Sequence, residues 1–178
     1  MVLLETPIPE EEIKILYEGI FDFEAVYKAF YKWLGENAFK KIQEKKYKDK
    51  TGDPLGNNIE VEITAEKEMD PVVKGSVVLK LAVEEGNWTE HRQNGESKKM
   101  IQGKLTAKIS GKIIWDPKSW FAPGKKSGAV SGIVRDLISN SYVALKKKEF
   151  EHNFAVPFED DCIGLSRKIK TILNTFDS

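Results

Sequence analysis

Fifteen residues, Ile101 to Trp115, alternate between two chemistries and so fix a plane. Ile101, Leu105, Ala107, Ile109, Ile113 and Trp115 are apolar, with Gly103 and Gly111 between them; the positions in between include Lys104, Thr106, Lys108, Ser110 and Lys112. Side chains on a strand point to opposite faces with a period of two, so this segment carries one core face and one basic, wet face. Asn58 to Met69 repeats the pattern with the other sign: Ile59, Val61, Ile63 and Ala65 point one way, Glu60, Glu62, Glu66 and Glu68 the other. A third alternation, Val77, Leu79, Leu81 and Val83, lies between them in the chain. Asn94-Gly95, two residues that tolerate positive φ, is the hairpin signal that folds the lysine strand back onto the third. Gly86-Asn87 predicts a bulge or a break.

The flanks follow by the same rules. Glu12 to Phe21 reads as a short strand or extended entry. Asp22 suits an N-cap, and Phe23, Val26, Tyr27, Phe30, Trp33 and Leu34 recur at helical spacing up to Gly35, the expected stop. Phe39 to Lys50 alternates weakly and is rich in lysine, as edge strands are when they must resist pairing with other chains. Val130 to Leu145 marks a second helix ending in Lys146, Lys147 and Lys148. Asp160 or Asp161 is expected to cap a last helix bearing Cys162, Leu165, Ile169, Ile172, Leu173 and Phe176. The expected fold is α+β: an antiparallel meander sheet of four to five strands with two or three helices mainly on one face. It forms one domain over residues 1–178, with 1–11 flexible and 158–176 a terminal helix and candidate partner surface.

Composition narrows the function classes. Twenty-eight basic and 28 acidic residues cancel, so the global basic excess usual in nucleic-acid binders is missing. A lone cysteine excludes disulfides within the chain. No apolar run approaches the roughly 18 residues of a membrane span, and the start of the chain lacks a signal-peptide pattern. The expectation is a cytoplasmic protein with no transmembrane segment.

The ordered string Tyr17-Glu18-Gly19, Tyr27 to Leu34 (YKAFYKWL) and Glu44 to Lys50 (EKKYKDK), with the later Gly103-Lys104-Leu105, resembles an uncharacterised family of small archaeal proteins. The resemblance spans about residues 13–145 as a pattern. It implies a cytoplasmic α+β protein and, since that family has no established activity, no particular function.

Catalytic patterns are sparse. His91 and His152, the two histidines, lie at no metal-ligand spacing from each other or from Cys162, so no metal and no cofactor is expected. Cys162 falls on an apolar helix face and reads as core rather than nucleophile. The glutamate row offers carboxylates on an open face, where nothing raises their pKa for general-acid work. Gly124-Lys125-Lys126-Ser127-Gly128 fails the P-loop pattern, in which Ser or Thr follows Gly-Lys directly. Trp120 and Phe121 beside Lys125 and Lys126 form the densest aromatic-basic cluster; the favoured reading has both rings closing one end of the core.

The chain is therefore expected to be no enzyme. It reads as a binding or assembly module that meets a protein partner, or forms a homo-oligomer, through its charge-coded sheet face. The candidate interaction residues are Glu60, Glu62, Glu66, Lys104, Lys108, Lys112, Trp120, Phe121, Lys125 and Lys126. Two alternatives stand beside it. One is an apolar small-ligand cavity between sheet and helices, lined by Tyr27, Trp33 and Trp115. The other is RNA binding by Lys40–Lys50 and the Trp120 loop, with nucleic acid the less favoured partner.

Overall fold

The computed structural model describes residues 4–50, 57–93, 96–115, 141 and 146–174. In chain order the elements are β1 (Leu4–Pro7), β2 (Ile13–Phe21), α1 (Phe23–Glu36), β3 (Lys40–Lys50), β4 (Asn57–Asp70), β5 (Val73–Gln93), β6 (Glu96–Trp115) and α2 (Val156–Asn174). The strands make one antiparallel sheet. The meander β3-β4-β5-β6 is as the alternation predicts, and the predicted edge strand β3 is an edge.

The sheet has six strands rather than the four or five expected, because β6 is long enough to pair with two on its free side. β2 runs along Ile101–Ile109, and β1 pairs with Lys112–Trp115 beyond it. Residues 4–7 lie in the stretch the sequence marks as flexible; here they are strand. Residues 94 and 95, the hairpin tip, and the predicted Val130–Leu145 helix fall outside the described residues. The residues flanking the tip, Gln93 and Glu96, do pair.

One face of the sheet is core. Ile63, Leu79 and Ile109 sit side by side, as do Val61, Leu81, Ala107 and Ile15, and all are buried. α1 buries Phe23, Val26, Phe30, Trp33 and Leu34 in the same core, and α2 buries Phe158, Cys162, Leu165, Ile169 and Leu173. Each large apolar side chain so buried contributes about 1.5–3 kcal/mol. Two glycines let α2 approach: a Cβ on Gly111 would lie 2.7 Å from the Phe158 ring, and one on Gly75 2.9 Å from it. Phe158 therefore rests in a socket floored by bare backbone.

The helix ends show where local signals hold and where they fail. Asp22 caps α1 as predicted, accepting from the Ala25 amide at 2.9 Å. The helix does not stop at Gly35. It runs on to Glu36 and turns at Ala38, which takes the left-handed backbone (φ 56°), while the Phe39 amide returns to the Leu34 carbonyl at 2.9 Å. Nor does Asp160 or Asp161 cap the last helix. Residues 146–174 are helical throughout, so the helix is already under way when it reaches the two aspartates. Pro157 has no N–H to give and its ring crowds the carbonyl four residues back; the wider π-turn at Glu151–Ala155 lies immediately before it and accommodates both.

The bulge expected at Gly86-Asn87 is present. The β5–β6 register shifts between Glu84 and Asn87, and Glu85 adopts φ 55°. Opposite it Gly103 leaves room for the bent strand, since a Cβ there would lie 3.0 Å from the Glu84 carbonyl oxygen.

Candidate interaction face

The face of the sheet turned away from the helices holds the polar half of every alternation. Strand register fixes its rows. Glu62, Lys80, Lys108 and Lys14 stand side by side across β4, β5, β6 and β2; Glu66, Ser76 and Lys112 form another row, and Glu84, Lys104 and Glu18 a third. Six of the predicted residues, Glu60, Glu62, Glu66, Lys104, Lys108 and Lys112, thus share one surface, the acids on β4 and the bases on β6. Trp120, Phe121, Lys125 and Lys126 lie outside the described residues.

Neither column stands alone. Each charge leans on a neighbour of the other sign. Lys46 of β3 pairs with Glu60, and Lys41 reaches Glu66 at 3.3 Å. Lys80 approaches Glu62 at 3.6 Å. On the basic side Lys104 meets Glu85 at 3.1 Å, Lys108 meets Glu12 at 2.9 Å and Lys112 meets Glu5 at 3.2 Å. The hydrogen bond from Lys46 holds the Glu60 carboxyl below its ordinary range, and the Glu85 bond raises Lys104 above its own. These pairs are open to water, so they set the charge pattern more than they stabilise the fold.

Between the charged columns runs a seam of small side chains. On β5 it holds Ser76, Val78 and Ala82; Thr64 flanks it on β4, Thr106 and Ser110 on β6, and all are half-buried. Beyond β6, Leu16 of β2 stands 68% exposed on the same face. Among the described residues no helix crosses this face. The sequence reading missed β2's contribution, Lys14, Leu16 and Glu18, although their alternation with Ile13, Ile15 and Tyr17 is visible in the chain.

The core-facing side holds a second cluster that the sequence reading passed over. Lys67 continues the apolar series of β4, yet its side chain is only 13% exposed. Its ammonium lies 4.9 Å from the Phe39 ring centre and 5.3 Å from that of Phe158, and pairs with Asp161 at 3.3 Å. The adjacent Cys162 is buried, and burial pushes its thiol up to about 12, which makes it a poor nucleophile at neutral pH. Across the helix layer Tyr27 and Tyr31 of α1 both donate to Glu44 of β3, tying the helix to the edge strand. Burial, then the Glu44 bond, raises Tyr27 above the ordinary phenol range.

The three residues proposed to line a ligand cavity do not meet. Trp33 packs on Phe39 and donates to the Asp161 carbonyl at 3.1 Å. Trp115 stacks on Phe150 and lines a cleft of about 120 Å³ with Val72, Val73 and Phe154, without Tyr27 or Trp33. Among the described residues no group of three or more His, Cys, Asp or Glu side chains could hold a metal ion, and no helix is long and apolar enough to cross a membrane. Compared with protein-family models, curated proteins and solved structures, the chain matches none.

Proposed function

We propose that this protein is a non-enzymatic binding or assembly module that docks a protein surface, foreign or its own, on the outer face of its sheet. The observation that carries the reading is the division of labour between the two faces. One is committed to a core with α1 and α2; the other, crossed by no helix among the described residues, is flat in chemistry at its centre and coded by sign to either side. A surface of that kind selects partners by charge and lets them go as salt rises.

Two details favour protein over the alternatives. Two of the six β3 lysines that would meet RNA phosphates are turned onto acids, Lys46 onto Glu60 and Lys41 onto Glu66, which places negative charge beside them. The cleft at Trp115 is smaller than the roughly 300 Å³ at which small-molecule pockets begin.

The test is capture from native lysate with two baits, the natural chain and the variant Glu60→Lys/Glu62→Lys/Glu66→Lys, at low and high salt. The expected result is a polypeptide held by the natural chain at low salt and lost both at high salt and on the variant. Identical recovery on both baits, or none on either, overturns the reading.

A further inference from the structure

The order of charge across the outer face has a symmetry of its own. β5 runs down the middle with its small seam; one strand to the left is the acidic column Glu60, Glu62, Glu66, and one strand to the right the basic column Lys104, Lys108, Lys112. The β4 and β6 columns are antisymmetric about β5. Two identical faces can meet through a twofold axis in two simple orientations. An axis across the strands lays β4 on β4 and sets acid against acid. An axis along β5 lays β4 of each copy on β6 of the other, and sets acid against base twice.

We infer that the occupant of this face is a second copy of the chain, packed face to face about a twofold axis along β5. The inference rests on the binding-face reading above and names its partner. A rotation about that axis preserves height along the strands, so the rows are fixed without any free sliding. Glu62 then lies over the partner copy's Lys108, and Glu66 over its Lys112, because each pair shares a row within one sheet.

The centre of the face suits such an approach. Val78 and Ala82 sit on the axis with the hydroxyls of Thr64, Ser76, Thr106 and Ser110 around them, while Lys74 and Glu84 mark the two ends of the β5 face. Lys80, also on the axis, leans away toward Glu62 at 3.6 Å. At the rim Lys46 and Lys14 occupy the same row and meet like to like, where water screens them. Five strands at about 4.8 Å spacing and some eight residues of height give about 650 Å² per copy, or about 1,300 Å² in all, within the range of specific interfaces.

The experiment is sedimentation of the purified full chain over about 1 μM to 1 mM, at about 50 mM and 500 mM salt. It uses the natural chain, Glu62→Lys/Glu66→Lys, Lys108→Glu/Lys112→Glu, and the chain carrying all four changes. The natural chain is expected to dimerise with a dissociation constant that rises at least tenfold between the two salts. Each two-site variant alone is expected to be monomeric; their equimolar mixture and the four-site chain are expected to dimerise again. Circular dichroism checks that each variant is folded, and Lys108→Gln/Lys112→Gln replaces a reversal that is not.

A natural chain monomeric at every concentration overturns the inference, and face-dependent capture from lysate would then leave the broader binding reading standing. A dimer untouched by either reversal places the contact elsewhere. Two monomeric variants that fail to restore each other show that the acidic and basic columns do not face one another.

Discussion

Replacing Gly111 with alanine asks how closely α2 is set into the sheet. The added methyl would lie 2.7 Å from the Phe158 ring, 2.9 Å from the Ile8 carbonyl oxygen and 3.1 Å from that of Ser76. The ring can tilt, but the Ser76 carbonyl belongs to β5, and Ile8 is held in place by its amide's bond to the Gly111 carbonyl at 2.9 Å. Overpacking of this kind costs about 1–3 kcal/mol. Removing glycine's freedom from the unfolded chain returns about 0.4–1 kcal/mol. The expected net loss is therefore about 1–2 kcal/mol, which in a chain of this size lowers Tm by about 2–8 °C. Urea unfolding of four proteins measures it: the natural chain, Gly111→Ala, Phe158→Ala and the double variant. Phe158→Ala alone should cost about 3–5 kcal/mol, as a fully buried ring lost with its cavity. With the ring gone, Gly111→Ala should cost about 1 kcal/mol less than it does in the natural chain. A neutral Gly111→Ala, or an equal cost in both backgrounds, refutes the socket.

Three further outcomes are expected. Asp22→Ala removes the bond to the Ala25 amide and the pair with Lys98, and should cost about 1–2 kcal/mol in thermal unfolding; Asp22→Asn, which keeps an acceptor for the cap, should recover most of it. Cys162 keeps its proton in the folded chain to about pH 12 whereas the unfolded thiol loses it near 9.0, so the unfolded state binds fewer protons in that window and stability falls as pH rises through it. The natural chain should lose up to about 1.4 kcal/mol per pH unit there relative to Cys162→Ala, and a thiol reagent at pH 8 should label it only on unfolding. Lys67→Met keeps the stem on Phe39 and Phe158 and leaves Asp161, 37% exposed, to water; stability should change by less than about 1 kcal/mol, whereas Lys67→Ala should cost more through lost packing.

The strands and their faces were legible in the chain because a period of two is local. Glu62 and Lys108 had to share a side once both alternations and the meander were read, and they do. The Asp22 cap and the apolar stripe of α1 were legible for the same reason. What failed were inferences that took a good local signal as decisive. Gly35 could end a helix, yet α1 runs on to Glu36 and closes instead by the Schellman-like return from Phe39 to Leu34. Asp160 and Asp161 could start a helix, yet packing of Phe158 on the sheet draws helix through that point, and Asp161 serves Trp33 and Lys67 instead.

The candidate face divides the same way. Its columns of sign came from the sequence alone, since alternation assigns each residue a side before any partner is known. Its neutralisation came only from tertiary structure: Glu5 meets Lys112 across 107 positions, and Glu12 meets Lys108, because a twenty-residue β6 has room for β1 and β2 on one edge. Lys67 makes the point most sharply. Sequence placed a lysine on the core side of β4 and could say nothing of its fate; two rings and a carboxylate from distant segments decide it, because contacts between remote segments depend on how whole layers pack and not on any period in the chain.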